Sequence, residues 1–256
     1  MTQRLLGRTA LVTGSTSNIG RAIATALAAE GAHVVVSGRD EERGRAVVDA
    51  LRAAGGTADF VRADLDGSSA RSRELADQAL ALLGGRVDVL VNNAGVFPAH
   101  TTADTDDALA DHVLAVNVKA PFFLTQALVP AMAEAGGGVV INLGSWVARL
   151  AVPTSPLYAA SKGAVETLTR AWAGELAAQN IRVNAISPGV IRSADSPERV
   201  VEAGDRLMSG TPAGTAGGPE AIAAAAVYLA SDDAGFVHGT VLDVDGGRTG
   251  VAVVAG

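Results

Sequence analysis

Tyr158 and Lys162 stand four residues apart in "YAASK", in a chain that has only two tyrosines and two lysines. Arginine supplies nearly all the remaining positive charge. On a helix, positions i and i+4 share a face, so this phenol and this ammonium occupy one small volume. A free phenol titrates near 10, too high for easy proton exchange at neutral pH. A cation beside it favours the phenolate and is expected to lower that value. Such a pair suits proton exchange with a carbonyl or alcohol oxygen. Ser145 closes the run "INLGS", thirteen residues before Tyr158, and its hydroxyl could hold the same oxygen. For a strand-end serine the ordinary alternative is a turn or helix cap. Asn117 interrupts the apolar run "HVLAVNVKAPFFLTQAL". Pro121, four residues on, has no N–H, so the Asn117 carbonyl is expected to lose its helical partner and become free to bind water.

A second group of residues suits a phosphate. "TGSTSNIG" (13–20) follows the apolar run "TALVT" and leads into "RAIATALAAE". A strand, a small-residue turn and a helix N-terminus present unpaired N–H groups and a positive dipole end to an anion. Gly14 suits the tight turn and Gly20 the close approach of helix to sheet, with Ser17, Asn18 and Ile19 between them. Asn18 occupies the place where a middle glycine is usual in such turns. Asparagine tolerates left-handed dihedrals better than other side-chain-bearing residues. The acid that usually ends the second strand and binds ribose hydroxyls is replaced at "SGRD" by Gly38, followed by Arg39. A guanidinium without a competing carboxylate suits a 2′-phosphate, which predicts NADP as the preferred cofactor, with NAD also possible. Arg39 as a solvated loop residue is the alternative.

The elements that must position these residues repeat along the chain. Runs at 9–13, 33–37, 58–62, 87–91, 138–143, 181–186 and 240–245 read as strands. Most are continuously apolar, as strands buried on both faces of a parallel sheet require. Amphipathic stretches at 19–30, 41–54, 69–83, 156–179 and 219–230 read as helices between them. Repeated βαβ units with right-handed crossovers predict an α/β fold: a doubly wound, Rossmann-like parallel sheet of seven strands with helices on both faces. No composition shift divides residues 1–256, which read as one domain. The segment 190–218 lacks strand character and has only a weak helical patch at 197–208, so it reads as a substrate loop.

Together with "NNAG" (92–95), "ADL" (63–65), "SPGVIRS" (187–193) and "VDGG" (244–247), these motifs resemble the short-chain dehydrogenase/reductase family over essentially the whole chain. The resemblance is to its single-domain members of roughly 250 residues, which include reductases of 3-oxoacyl thioesters. It implies hydride transfer between a nicotinamide and a ketone or secondary alcohol. Tyr158 would be general acid/base, and Lys162 would also hydrogen-bond the nicotinamide ribose. Ser145 would hold the substrate oxygen, and Asn117 would carry a water relay toward the lysine. For the cofactor it implies Asp64 at the adenine amino group, Leu65 beside the ring, and Asn93, Ala94 and Gly95 at the ribose. Pro188, Gly189, Ile191 and Ser193 would meet the nicotinamide carboxamide and phosphate. It further implies a homotetramer through helices near 105–135 and 156–179 and through the C-terminal strand region. A catalytically silent dinucleotide-binding regulator or scaffold on the same fold is the other reading.

Composition narrows the partners. A net charge of −7 argues against nucleic acid and anionic membranes. Without cysteine, disulfides and thiolate metal sites are excluded, and four scattered histidines give no metal-like cluster. The N-terminus reads directly into the first strand with no leader pattern, and no run of eighteen apolar residues occurs. A cytoplasmic location without a membrane span is expected. Phe97, Trp146, Val147, Leu150, Val152, Leu207 and Met208 predict an apolar to mixed small-molecule pocket, with Arg149 and Arg192 as possible anion-steering groups.

Overall fold

The structure is a computed structural model that describes residues 3–150, 152–192 and 198–252. Seven parallel strands form one sheet: β1 (Thr9–Val12), β2 (His33–Gly38), β3 (Thr57–Arg62), β4 (Val89–Asn92), β5 (Gly138–Leu143), β6 (Ile181–Pro188) and β7 (Val241–Val244). Their order is β3-β2-β1-β4-β5-β6-β7. Each lies within two residues of its expected bounds, because apolar runs buried on both faces leave little freedom in where a strand begins or ends. The helices are α1 (Asn18–Ala29), α2 (Glu41–Ala53), α3 (Ser69–Leu82), α4 (Asp107–Leu114), α5 (Ala120–Glu134), α6 (Pro156–Glu175), α7 (Glu198–Met208) and α8 (Pro219–Ala230).

Side-chain alternation along each strand divides the core in two. Ala10 and Val12 of β1 and Val34 and Val36 of β2 face α1, α2 and α8, where Ile23, Leu27, Val47 and Ile222 pack. Leu11 and Val35 face the opposite way, toward α3, α5 and α6, where Leu75, Leu124, Leu128 and Trp172 pack. Local chemistry sets the helix starts. Asp40 caps α2 by accepting from the Arg43 N–H, with Glu41 and Glu42 in the first turn and Arg52 in the last. Ser68 caps α3 by accepting from the Arg71 N–H.

Two segments differ from expectation. Within the patch expected at 197–208, Glu198–Met208 is a regular helix, α7, and the described part of the substrate segment is anchored rather than open. Ile191 and Gly217 form a parallel bridge, with Gly217 N donating to Val190 O at 2.9 Å. The stretch Asp107–Glu134 is long and apolar enough, by length and composition, to cross a membrane. In this fold its Leu124, Leu128 and Met132 are core residues packed with α3 and the sheet.

Candidate active site

The chain leaves β1 toward β2 on one side, while β4 flanks β1 on the other. The crevice beyond the carboxyl ends of these strands is where open α/β sheets take ligands. A cleft of about 1030 Å³ opens there. It is lined by Gly14, Ser17, Asn18, Ile19, Gly20, Arg39, Asp64, Leu65, Asn93, Ala94, Gly95, Ser145, Tyr158, Lys162, Pro188, Gly189 and Ile191. Asn117 lies behind this wall, and Ser193 falls outside the described residues.

At one end the backbone itself forms the wall. Gly14 has φ +62°, and a Cβ there would lie 2.9 Å from Ala94 Cα. A Cβ on Gly20 would lie 2.3 Å from the Gly14 carbonyl and 2.4 Å from Asn93 Nδ2. Asn93 holds that approach by donating from Nδ2 to the Thr13 and Gly14 carbonyls at 2.8 and 3.0 Å. Asn18 adopts φ +43°, and its buried Oδ1 has no hydrogen-bond partner. Ser17 sits at the N-cap of α1 without using its side chain as a cap, so the helix N-terminus keeps its donors for a ligand. These features fit a pyrophosphate. Gly38 packs so closely on Thr16 that a Cβ would lie 2.6 Å from its methyl group. Arg39 is exposed, with its guanidinium 4.0 Å from Asp64. Arg43, paired with Asp40 at 2.8 Å, also reaches the cleft, because the first turn of α2 faces it. The sequence alone did not single out Arg43.

At the other end, β5 and α6 bring three side chains together. Ser145 is extended (φ −169°) and caps the short turn Trp146–Ala148, so the cap role and the site role coexist in one residue. Its hydroxyl lies near enough to the Tyr158 phenol to favour the phenolate. Lys162 is buried, its Nζ 5.6 Å from the centroid of the Tyr158 ring and donating to the Leu143 carbonyl at 2.8 Å. Phe97 covers the phenol, with ring centroids 4.6 Å apart.

The electrostatics correct one expectation. Burial raises the Tyr158 phenol above its usual 10, and the Ser145 hydroxyl only partly offsets this. In the protein alone, desolvation sets the direction, and the lysine one turn away does not bring the phenol below its usual value. Burial also draws the Lys162 ammonium down to about 8, against an opposing pull from Glu166.

Asn117 lies in a single π-helical turn, Ala115–Lys119, between α4 and α5, where Ala120 N donates to Ala115 O. The register slips just before Pro121, the residue that cannot donate. Its side chain is fully engaged: Oδ1 accepts from Val96 N at 2.8 Å, and Nδ2 donates to Val96 O and Ser161 Oγ, both at 3.0 Å. The residue therefore ties the 95–96 loop to α6.

The far wall is formed by Phe97, Trp146, Val147, Val152, Pro153 and Leu207. Leu150 instead faces solvent and Met208 packs beneath α7, so neither lines the cleft as expected. Arg149 does not steer an anion into the cleft, since its guanidinium is paired with Asp243. Arg192 is exposed outside the lining. Arg248, which the sequence reading passed over, stacks 4.2 Å over Trp146 and donates to the Leu207 carbonyl.

A profile of the family described as Enoyl-(Acyl carrier protein) reductase matches residues 14–249. The chain is 36% identical over 249 residues to a cyclopentanol dehydrogenase from Comamonas sp. (strain NCIMB 9872), covering 96% of this chain and 98% of that protein. The structure of a short-chain dehydrogenase/reductase from Serratia marcescens BCRC 10948 superposes with a TM-score of 0.88 at 34% identity, covering 96% and 99% of the two chains. That of a 3-oxoacyl (acyl-carrier-protein) reductase from Agrobacterium tumefaciens C58, with NADP bound, superposes with a TM-score of 0.89 at 32% identity, covering 96% of each chain.

Proposed function

This chain belongs to the short-chain dehydrogenase/reductase family and is an NAD(P)-dependent oxidoreductase acting on CH–OH groups; we propose that it interconverts an uncharged, largely apolar ketone and its secondary alcohol, preferring NADP(H), with Tyr158 as the acid/base. The single observation that carries the reading is the convergence of the Ser145 hydroxyl, the Tyr158 phenol and Lys162 at one end of the cleft. The cofactor supplies or takes up the hydride. In reduction, Tyr158 donates its proton to the substrate oxygen while Ser145 holds that oxygen and stabilises its developing charge. In oxidation the phenolate accepts the proton. Lys162 supports the phenolate by its charge, and Asn117 locks the loop before the phenol to α6 and serves a water path to the lysine.

Gly14, Ser17, Asn18, Ile19 and Gly20 would hold the pyrophosphate, Asp64 and Leu65 the adenine, and Asn93, Ala94 and Gly95 the ribose. Pro188, Gly189, Ile191 and Ser193 would meet the nicotinamide end. Gly38 in place of an acid, with Arg39 and Arg43 beside it, supports the NADP preference. Apolar walls, and Arg149 paired with Asp243 rather than turned into the cleft, support the uncharged substrate.

The whole of 1–256 acts as one dinucleotide-binding and catalytic unit, in the cytoplasm. Its homotetramer uses α5 and α6, where an apolar groove is lined by Val118, Phe122, Phe123, Gly163, Ala164 and Leu168. The catalytically silent alternative is not favoured, because a binding module has no use for the phenol. The test is a panel of ketones and secondary alcohols assayed with both cofactors, with Tyr158→Phe as control. Turnover that survives Tyr158→Phe would overturn the assignment, and tight NADPH binding without turnover on any carbonyl would favour the silent reading.

A further inference from the structure

One ionisable side chain beside the site has no part in the chemistry above. Glu166 follows Lys162 by one turn of α6, so the two share a face. It is 6% exposed, and its Oε1 has no hydrogen-bond partner. A Cβ built on Gly144 would lie 2.7 Å from that oxygen, which places the carboxylate directly under the turn that carries Ser145. The Ser145 backbone N–H favours the ionised form of the same carboxylate. A buried carboxylate with an unpaired oxygen is costly unless the charge around it compensates.

We propose that Glu166 is a positioning residue for this site, its carboxylate seating the Gly144–Ser145 turn and holding Lys162 as the charged partner of Tyr158. The inference rests on the roles just given to Ser145, Tyr158 and Lys162. It turns on which groups face the carboxylate. Lys162 and Arg170 come from α6, Arg149 from the turn after β5, and Asp243 from β7. Arg149 is committed to Asp243 and also feels Asp245, so it does not neutralise Glu166 by itself. Burial pushes the Glu166 carboxyl upward, while Arg149 and the Ser145 N–H pull it back toward the ionised form. Burial pulls Lys162 down to about 8, and Glu166 is the one charged group that pulls it back up. The dependence runs from Glu166 to Lys162: Arg149 and Arg170 favour the carboxylate, and the carboxylate in turn favours the buried ammonium one turn away. Lys162 as an ammonium favours the Tyr158 phenolate, and as a neutral amine it cannot. A glutamine at 166 would keep the shape but would remove the charge.

The chain's two lysines make the test direct. With ¹³C-labelled lysine, the Cε signals of Lys119 and Lys162 are the only ones in the spectrum, and Lys119, which lines the groove between α5 and α6 rather than the cleft, is the internal control. Both are titrated in the full chain for wild type, Glu166→Gln and Glu166→Asp, alongside pH profiles of kcat and KM. Glu166→Gln is expected to lower the Lys162 midpoint by about one pH unit, from the loss of an opposite charge one turn away. The pH profile of kcat should move with it, KM should change little, and Lys119 should stay fixed. Glu166→Asp keeps the charge but draws it back by one methylene, and should lower the midpoint by roughly half as much while restoring most of kcat. A Lys162 midpoint equal to wild type in folded Glu166→Gln overturns the proposal. If that variant does not fold, an unchanged midpoint in Glu166→Asp does so. The titration needs no substrate, so a wild type that reduces no carbonyl would refute the oxidoreductase chemistry without touching the Lys162–Glu166 coupling.

Discussion

Lys162→Met should make the protein more stable. Burial lowers the Lys162 ammonium from its usual 10.5 to about 8. At about 1.4 kcal/mol per unit, that gap is roughly 3 kcal/mol of desolvation carried by the folded state at neutral pH. Below pH 8 the lysine is protonated in both folded and unfolded chains, so the whole cost is present. Between about 8 and 10.5 the folded chain sheds its proton while the unfolded chain keeps it, and the cost fades as pH rises. Methionine fills a similar volume without charge but gives up the Nζ donation to Leu143 O, worth about 1 kcal/mol. The variant should therefore exceed wild type by about 2 kcal/mol at pH 7, with the advantage shrinking toward pH 10. Urea unfolding of both proteins at pH 7 and at pH 9.5 reads the difference directly. A variant less stable than wild type at pH 7, or an advantage that does not change with pH, would refute the reasoning. The same variant should lose turnover, a stability–function conflict expected where a site holds a charge in a dry place.

Gly20→Ala should lower stability by several kcal/mol and abolish cofactor binding, since its Cβ would lie 2.3 Å from the Gly14 carbonyl and neither backbone can retreat; a wild-type melting temperature would contradict this. Arg39→Ala should weaken NADPH binding about tenfold or more while leaving NADH within about twofold, as loss of a charge-assisted hydrogen bond predicts. Equal effects on both cofactors in titration calorimetry would refute the 2′-phosphate role. Light scattering at micromolar concentration should give the mass of four chains, and Phe122→Asp should lower it by placing a charge in the groove between α5 and α6; a wild-type monomer would overturn the assembly.

The strands were readable because continuous β-branched runs such as "HVVVS" can be buried on both faces only in a parallel sheet. The glycine turn, "NNAG" and "YAASK" were readable because each constrains a short stretch of backbone or a single helix face. The substrate wall was less so. Phe97, Trp146 and Leu207 reach the cleft while Leu150 and Met208, equally apolar, do not, because the path of the turn after β5 and the seating of α7 decide which side faces inward. Arg43 was indistinguishable from the other arginines of a solvated helix until α2 was placed beside the cleft. Pro121 pointed to an irregular helix, but not to a π turn, nor to an Asn117 side chain bound to Val96 and Ser161.

The amino-acid order by itself determined which residues are neighbours within an element: Tyr158 beside Lys162, Lys162 beside Glu166, Gly20 at the head of α1. Tertiary structure alone decided how hard it is to charge them. Proximity within one helix follows from its period, whereas the desolvation that raises Tyr158 and lowers Lys162 is summed over walls from β4, β5, α6 and the loops beyond them, which are far apart in the chain.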